Sequence, residues 1–130
     1  MDEQELNRKF QMLEQKIRQT QEQLEAVERA IFDMSTINVG IEELKGKTGE
    51  EIMAPIGRGI FVKANLVSEN IIVDVGSGNF IEKTIDETKD MISGQKEKMK
   101  GFKEELEKEL DLINQDITKT MQEYQSSQPQ

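Results

Sequence analysis

The chain has 130 residues, of which 35% are hydrophobic, 33% charged and 5% aromatic, and its net charge is −9. This acidic balance argues against nucleic acid and acidic membrane surfaces as partners, because phosphate recognition depends on clustered Lys and Arg, and no apolar run is long enough to span a bilayer. Without Cys or His the sequence lacks disulfides, the usual zinc and copper ligands and most nucleophile–base pairs. A carboxylate site for magnesium or calcium is possible in principle, but no stretch has the spacing of an EF-hand. We therefore expect a cytoplasmic protein that is not an enzyme and carries no cofactor.

Residues 1–38 predict a coiled-coil helix. Their apolar residues recur at steps that alternate between 4 and 3, which is the spacing of a narrow apolar stripe, called the seam below. The members of this seam are Leu6, Phe10, Leu13, Ile17, Thr20, Leu24, Val27, Ile31 and Met34. Gly40, preceded by Asn38, is the expected stop signal.

Residues 39–82 predict short strands and tight turns instead of a coiled-coil helix. After glycine punctuation at Gly46 and Gly49, four short segments (EIMAPI, IFVKANLV, NIIVDVG and NFIEKT) read as strands, and the connections GRG, SEN and GSG are typical of tight turns. Both faces of these strands carry apolar residues, and an isolated hairpin is marginal in water. The strands are therefore expected to associate with other chains.

Residues 83–124 predict a second coiled-coil helix, and residues 125–130 a flexible tail. The predicted seam comprises Ile85, Thr88, Ile92, Gln95, Met99, Phe102, Leu106, Leu110, Ile113, Ile117, Thr120 or Met121, and Tyr124. Two consecutive steps of 4 before Leu110 predict one stutter, which locally relaxes a supercoil.

The simplest arrangement of these elements is a single α+β domain over residues 1–130. Its two helices form an antiparallel coiled coil with two β-hairpins between them. This arrangement places Leu6 and Phe10 near Ile117 and Met121.

The glycine pairs Gly57/Gly59 and Gly76/Gly78 raise the alternative of a phosphate-binding loop. A dinucleotide fingerprint needs a third glycine before a long helix, and a Walker loop needs a following Lys-Ser or Lys-Thr. Each pair here leads into a strand-like segment instead. Hairpin turns that require positive φ explain both pairs better.

Two long motifs carry a resemblance to a known family. GEEIMAPIGRGIFVKANL (49–66) contains the pattern P-[IL]-G-x-G-x-F-V-K-A, and IIVDVGSGNFIEKTIDE (71–87) contains V-G-x-G. With their flanking helices these segments resemble the α-type subunits of archaeal prefoldin. Two hairpins between the helices, where the β type has one, favour the α type.

The resemblance implies an ATP-independent molecular chaperone. In the family, two α and four β subunits join their hairpins into a β-barrel-like hub, hold non-native polypeptides at the coiled-coil ends and pass them to a group II chaperonin. On this basis the oligomer interface would consist of Ile60, Phe61, Val62, Leu66, Ile71, Val73 and Val75. The client-binding end would consist of Leu6, Phe10, Ile117, Met121 and Tyr124.

A structural protein is the main alternative function. Strand-to-strand association that does not close would produce a filament or scaffold from a prefoldin-like chain. Closed assembly predicts a discrete mass with a partner subunit, whereas open assembly predicts particles of variable length formed by this chain alone. An enzyme is the weakest alternative, and we expect no nucleotide binding.

Overall fold

The computed structural model of the protein describes residues 2–127. Four strands lie between two helices along the chain, in the order α1, β1, β2, β3, β4, α2. The bounds are Glu3–Glu42 for α1, Glu51–Gly57 for β1, Ile60–Asn65 for β2, Ile71–Asp74 for β3, Phe80–Lys83 for β4 and Ile85–Ser127 for α2. β1 pairs with β2 and β3 with β4, both antiparallel, so the predicted α+β fold with two hairpins between two helices is confirmed.

The chain divides into two compact units. The first, the helical unit, comprises Met1–Phe32 and Glu97–Gln130, and the second, the hairpin unit, comprises Asp33–Lys96. Each unit contains part of both helices.

The helices of the helical unit run antiparallel. Lys9 Nζ lies 3.6 Å from Asp116 Oδ1, and Lys103 Nζ lies 3.7 Å from Glu28 Oε1. Residues near the start of α1 therefore face residues near the end of α2, and later residues of α1 face earlier residues of α2. Between the helices the buried side chains are Leu6, Leu13, Thr20, Ile113 and Thr120. The helices therefore pair through a narrow seam with few buried residues per turn, as in a coiled coil.

The seam predicted for α1 is confirmed along its whole length. All nine of its members, from Leu6 to Met34, are buried or half-buried. The repeat is regular here because every position except Thr20 carries a large apolar side chain, which leaves the register unambiguous.

The seam predicted for α2 is wrong in its middle. Gln95 and Phe102 are exposed, whereas their chain neighbours Lys96 and Lys103 are half-buried. With these lysines included, the steps from Ile92 to Tyr124 alternate between 4 and 3, and the predicted stutter is absent from that described segment. A lysine can occupy a seam position because its aliphatic stem packs while its ammonium group reaches water.

The core of the hairpin unit forms where the helix ends meet the strands. Ile41, Ile85 and Ile92 are buried together, and the partly buried side chains of Met34, Leu44, Ile71 and Met91 pack against them. Packing of Ile41 explains why α1 continues through Gly40 to Glu42, past the expected end at residue 38. Burial of one such side chain outweighs the roughly 1 kcal/mol lost at a helical glycine.

Local hydrogen bonds fix the start of α2. The Glu87 backbone N–H donates to Thr84 Oγ1 at 3.1 Å, and the Thr84 N–H donates to Glu87 Oε1 at 3.3 Å, which together form a capping box. The helix consequently begins at Ile85 rather than at residue 83. At the other end, residues 125–127 of the predicted tail continue α2, and residues 128–130 lie outside the described part of the chain.

Candidate functional site

The two hairpins close through turns of the same type. The central residues Arg58 and Gly59 have φ values of 51° and 78°, and Ser77 and Gly78 have 51° and 77°. Positive φ at both central positions defines a type I′ turn, whose twist matches that of the paired strands. The prediction that the glycine pairs form hairpin turns with positive φ is therefore confirmed.

The hairpins resemble one another around their turns and in their pattern of exposure. IGRGIFV (56–62) aligns with VGSGNFI (75–81) around the turns. The equivalent residues Met53 and Ile72 are both 66% exposed, and the equivalent aromatic residues Phe61 and Phe80 are both at least half exposed. Each hairpin thus presents a similar pair of exposed apolar residues, although the residues that face them differ, Lys63 and Pro55 on the first hairpin and Glu82 and Asp74 on the second.

Each hairpin has one open face and one partly covered face. On the first, Met53 pairs with Lys63 and Pro55 with Phe61, and all four side chains are exposed. The opposite face contains the half-buried residues Ile52, Ala54 and Ala64, together with the more exposed Val62.

The second hairpin shows the same division. Ile72 pairs with Glu82, and Asp74 with Phe80, on the open face, whereas Ile71 and Val73 are half-buried. The open faces are exposed to solvent, whereas residues of the partly covered faces pack in part within this chain.

The structure divides the interface residues predicted from sequence into two groups. Ile60, Phe61, Val62 and Val75 are exposed on or beside the hairpins. Leu66, Ile71 and Val73 are half-buried, and Ile71 packs against the core of the hairpin unit. Further exposed apolar residues that sequence reasoning missed are Met53, Ile56, Val67, Ile72, Phe80 and Ile81. The internal repeat would have revealed several of them, because it places Ile72 and Phe80 at the positions of Met53 and Phe61.

A charged cluster joins the helix ends at the base of the hairpins. Glu42 Oε2 accepts a hydrogen bond from Lys89 Nζ and lies 3.3 Å from Lys45 Nζ, which in turn lies 2.9 Å from Asp86 Oδ1. Hydrogen bonds from Lys89 and Lys45 hold the pKa of Glu42 below its ordinary value, and the bond from Lys45 lowers the pKa of Asp86. The same two carboxylates, Asp86 first, raise the pKa of Lys45. Positive and negative groups thus alternate along the cluster, in the order Lys89, Glu42, Lys45 and Asp86, and all four side chains are in contact with solvent.

The predicted client-binding residues all lie in the helical unit, with unequal exposure. Leu6 is only 7% exposed, Phe10, Ile117 and Tyr124 are half-buried, and Met121 is exposed. In the paired helices Met121 therefore offers the most accessible apolar surface of this set. Leu6 contributes to helix pairing and would reach another molecule only after the helices separate.

Two kinds of site are not found in residues 2–127. No cluster of acidic residues there is arranged to hold a metal ion. Neither helix, within that range, combines the length and apolar character required to cross a membrane.

A family model described as "Prefoldin subunit" matches residues 6–130. The chain belongs to the prefoldin family. A prefoldin subunit alpha from Methanococcus vannielii is 35% identical over 123 residues, which cover 92% of this chain and 78% of that relative. One from Methanosphaera stadtmanae is 33% identical over 75 residues, which cover 58% of this chain and 54% of the relative. This chain thus spans only about half of the latter protein's length.

The prefoldin fold is also found by comparison with solved structures. The cryo-EM structure of filamentous PFD from Methanocaldococcus jannaschii superposes with a TM-score of 0.80, covering 90% of this chain and 98% of that one. The sequence identity is 18%, so the likeness concerns the fold.

Proposed function

We propose that this prefoldin-family chain is a subunit of a cytoplasmic, ATP-independent chaperone that holds non-native polypeptides and delivers them to a group II chaperonin. Its hairpins would join those of β-type prefoldin subunits in a β-barrel-like hub of two α and four β chains. The family membership supports the chaperone role, and the open apolar faces of the hairpins are the observation that carries the assembly.

The hairpins have the properties of an assembly surface. Met53 and Phe61 on one open face, and Ile72 and Phe80 on the other, are exposed apolar side chains beside unpaired strand edges. Two separate two-stranded sheets of this kind are marginal alone and gain stability by pairing with further strands. Ile60 and Val75, which are exposed beside the turns, would extend the surface. Val62 would contribute from the exposed part of the opposite face, and Leu66, Ile71 and Val73 would support the surface from that partly covered side.

Client binding is assigned to the paired helix ends of the helical unit. Met121 would contact a non-native chain directly, and the half-buried Phe10, Ile117 and Tyr124 would add surface when the ends open. Leu6 would be uncovered last, because it is the most buried of the set. Several such ends joined by one hub would act together, so that individually weak contacts give strong capture.

The experiment that tests this function combines assembly with a client assay. Native mass spectrometry of this chain mixed with a β-type prefoldin subunit is expected to show one heterohexamer containing two copies of this chain. The heterohexamer is expected to suppress aggregation of a chemically unfolded protein equally well with and without ATP. Ile72→Lys, on an open hairpin face, is expected to reduce hexamer formation, whereas Leu112→Lys, an equally radical change at an exposed position of α2, is the matched control. A chain that ignores the β subunit, or a hexamer that fails to protect its client, would contradict the proposal.

A filament-forming or scaffolding role is the second candidate, and the internal repeat favours it. Two similar but non-identical apolar surfaces on each chain would allow one hairpin to bind the other hairpin of a neighbouring chain, and such head-to-tail association produces an open polymer when the rotation between neighbours does not close a ring. In the same mass experiment, long particles of variable length formed by this chain alone would select this role over the closed hexamer.

A further inference from the structure

A groove of about 410 Å³ lies between the two helices of the helical unit. Val27 and Leu106, both half-buried seam residues, line it together with Ala26 and Phe102. On α2 the residues Phe102, Leu106 and Glu109 follow one another at helical spacing, so they share one side of the helix. Ala26 on α1 lines the same groove with a small side chain.

The exposure of Phe102 inverts the usual arrangement of a coiled coil. This aromatic side chain is 52% exposed, while its neighbour Lys103 occupies the seam position, within 3.7 Å of Glu28 and 3.9 Å of Glu107. A pairing optimised for stability alone would bury the phenylalanine and expose the lysine. Positions that break a local rule without gaining stability are where binding functions are expected.

The charges at the groove have one sign. Glu105 and Glu109 line it, and no Lys or Arg is among its lining residues. Neither glutamate forms an ion pair within residues 2–127. The two carboxylates lie one helical turn apart, beside the apolar floor, and are free to pair with cations of another molecule.

We propose that this groove binds a basic amphipathic segment of a non-native polypeptide. An apolar side chain of the segment would pack on Phe102 between Val27 and Leu106, and its Lys or Arg residues would pair with Glu105 and Glu109. The inference rests on the proposed holding function and specifies its client class: segments that combine apolar and positively charged residues. It places this contact away from the helix-end residues Leu6, Phe10, Ile117, Met121 and Tyr124.

Fluorescence anisotropy tests the proposal directly. The probe is a fluorescein-labelled amphipathic peptide of Leu and Lys, compared with its counterpart in which Glu replaces Lys, each titrated with the 130-residue chain. The Leu/Lys peptide is expected to bind and the Leu/Glu peptide to bind much more weakly. Phe102→Ala is expected to weaken binding of the Leu/Lys peptide by about tenfold, because roughly half of a phenylalanine side chain remains to be buried.

Further variants separate the apolar from the electrostatic contribution. Glu105→Gln/Glu109→Gln is expected to weaken binding and to flatten its dependence on salt, since screening acts only on the charge pairs. Ala26→Lys fills the groove from the opposite helix and should also weaken binding. The matched controls lie outside the groove: Leu112→Ala, at an apolar residue with 64% exposure, and Glu104→Gln/Glu123→Gln. Both are expected to leave the affinity unchanged.

The outcomes distinguish this inference from the proposed function. Equal binding of the two peptides, or equal losses in Phe102→Ala and Leu112→Ala, would overturn the groove assignment. In another outcome, the heterohexamer protects unfolded clients, but Phe102→Ala and Ala26→Lys bind the peptide as well as the unmodified chain does. This result would overturn the groove assignment and leave the chaperone role intact. A chain that binds the peptide as described but neither assembles nor protects clients would uphold the groove and contradict the function.

Discussion

Replacing Lys103 by leucine is expected to stabilise the paired helices. Lys103 holds a seam position with 39% of its side chain exposed, and its ammonium group makes two ion pairs, with Glu28 and Glu107. Full burial of a leucine contributes about 1.5–3 kcal/mol, so burial to this degree contributes about 1–2 kcal/mol. Exposed ion pairs contribute about 0.2–1 kcal/mol each, and fixing a lysine side chain costs more conformational entropy than fixing a leucine. The two ion pairs together offset about 0.4–2 kcal/mol of this burial, and the smaller entropy cost of leucine returns a few tenths to about 1 kcal/mol, so mid-range values leave a net gain of about 0.5–1 kcal/mol.

Urea unfolding followed by circular dichroism measures this gain. With the slopes usual for small proteins, a stabilisation of this size raises the midpoint by about 0.3–0.5 M urea. Lys108→Leu is the matched control, because Lys108 is an exposed lysine of the same helix and the change should stay within about 0.5 kcal/mol. A midpoint that falls in Lys103→Leu would refute the reasoning, since it would show that the ion pairs with Glu28 and Glu107 stabilise the pairing more than an apolar side chain can.

Two further expectations concern buried hydroxyls and charge. Thr120 is fully buried and its hydroxyl has no partner within residues 2–127, so Thr120→Val should raise the free energy of unfolding by about 1 kcal/mol. Thr88→Val, at an equally buried threonine whose hydroxyl donates to Thr84 O at 2.8 Å, should instead lower it by about 0.5 kcal/mol; equal effects in urea unfolding would contradict this account. The lowered pKa values of Glu42 and Asp86 mean that their contribution is present above the ordinary carboxyl pKa and lost as the pH falls through the lowered values. Unfolding midpoints of the unmodified chain and Lys45→Met should therefore differ at neutral pH and converge at acid pH, and a constant difference would show that Lys45 acts through packing.

The sequence predicts most of the fold because two strong signals coincide. A regular heptad of large apolar residues defines α1, and glycine pairs at positive φ define both hairpin turns. Helix ends are less predictable, since they depend on tertiary contacts: Ile41 enters the core of the hairpin unit and carries α1 past Gly40. The start of α2 depends on the Thr84–Glu87 capping box, whose T-x-x-E pattern is present in the sequence itself.

The candidate assembly surface is only partly readable from the sequence. Alternation along β2 and β3 identifies apolar residues but not which face the chain covers with its own side chains. Ile71 and Val73 differ from Ile72 in this respect, and only the packing of the hairpin unit distinguishes them. Aligning the two hairpins with each other identifies the exposed residues more reliably than alternation does, because equivalent positions such as Met53 and Ile72 have equal exposure.

The error in the α2 seam and the proposed groove have the same origin. Hydrophobicity places Phe102 in the seam, whereas continuity of the heptad places Lys103 there. The heptad prevails, because shifting one residue out of step would also displace Leu106, Leu110 and Ile113 from the partner helix. Phe102 is thereby turned toward the surface of the groove, where about half of its side chain is exposed. A strictly regular heptad places the aromatic Phe102 outside the seam and Lys103 within it. A disagreement of this kind between hydrophobicity and heptad position can be read from the sequence alone, and it indicates a candidate binding surface.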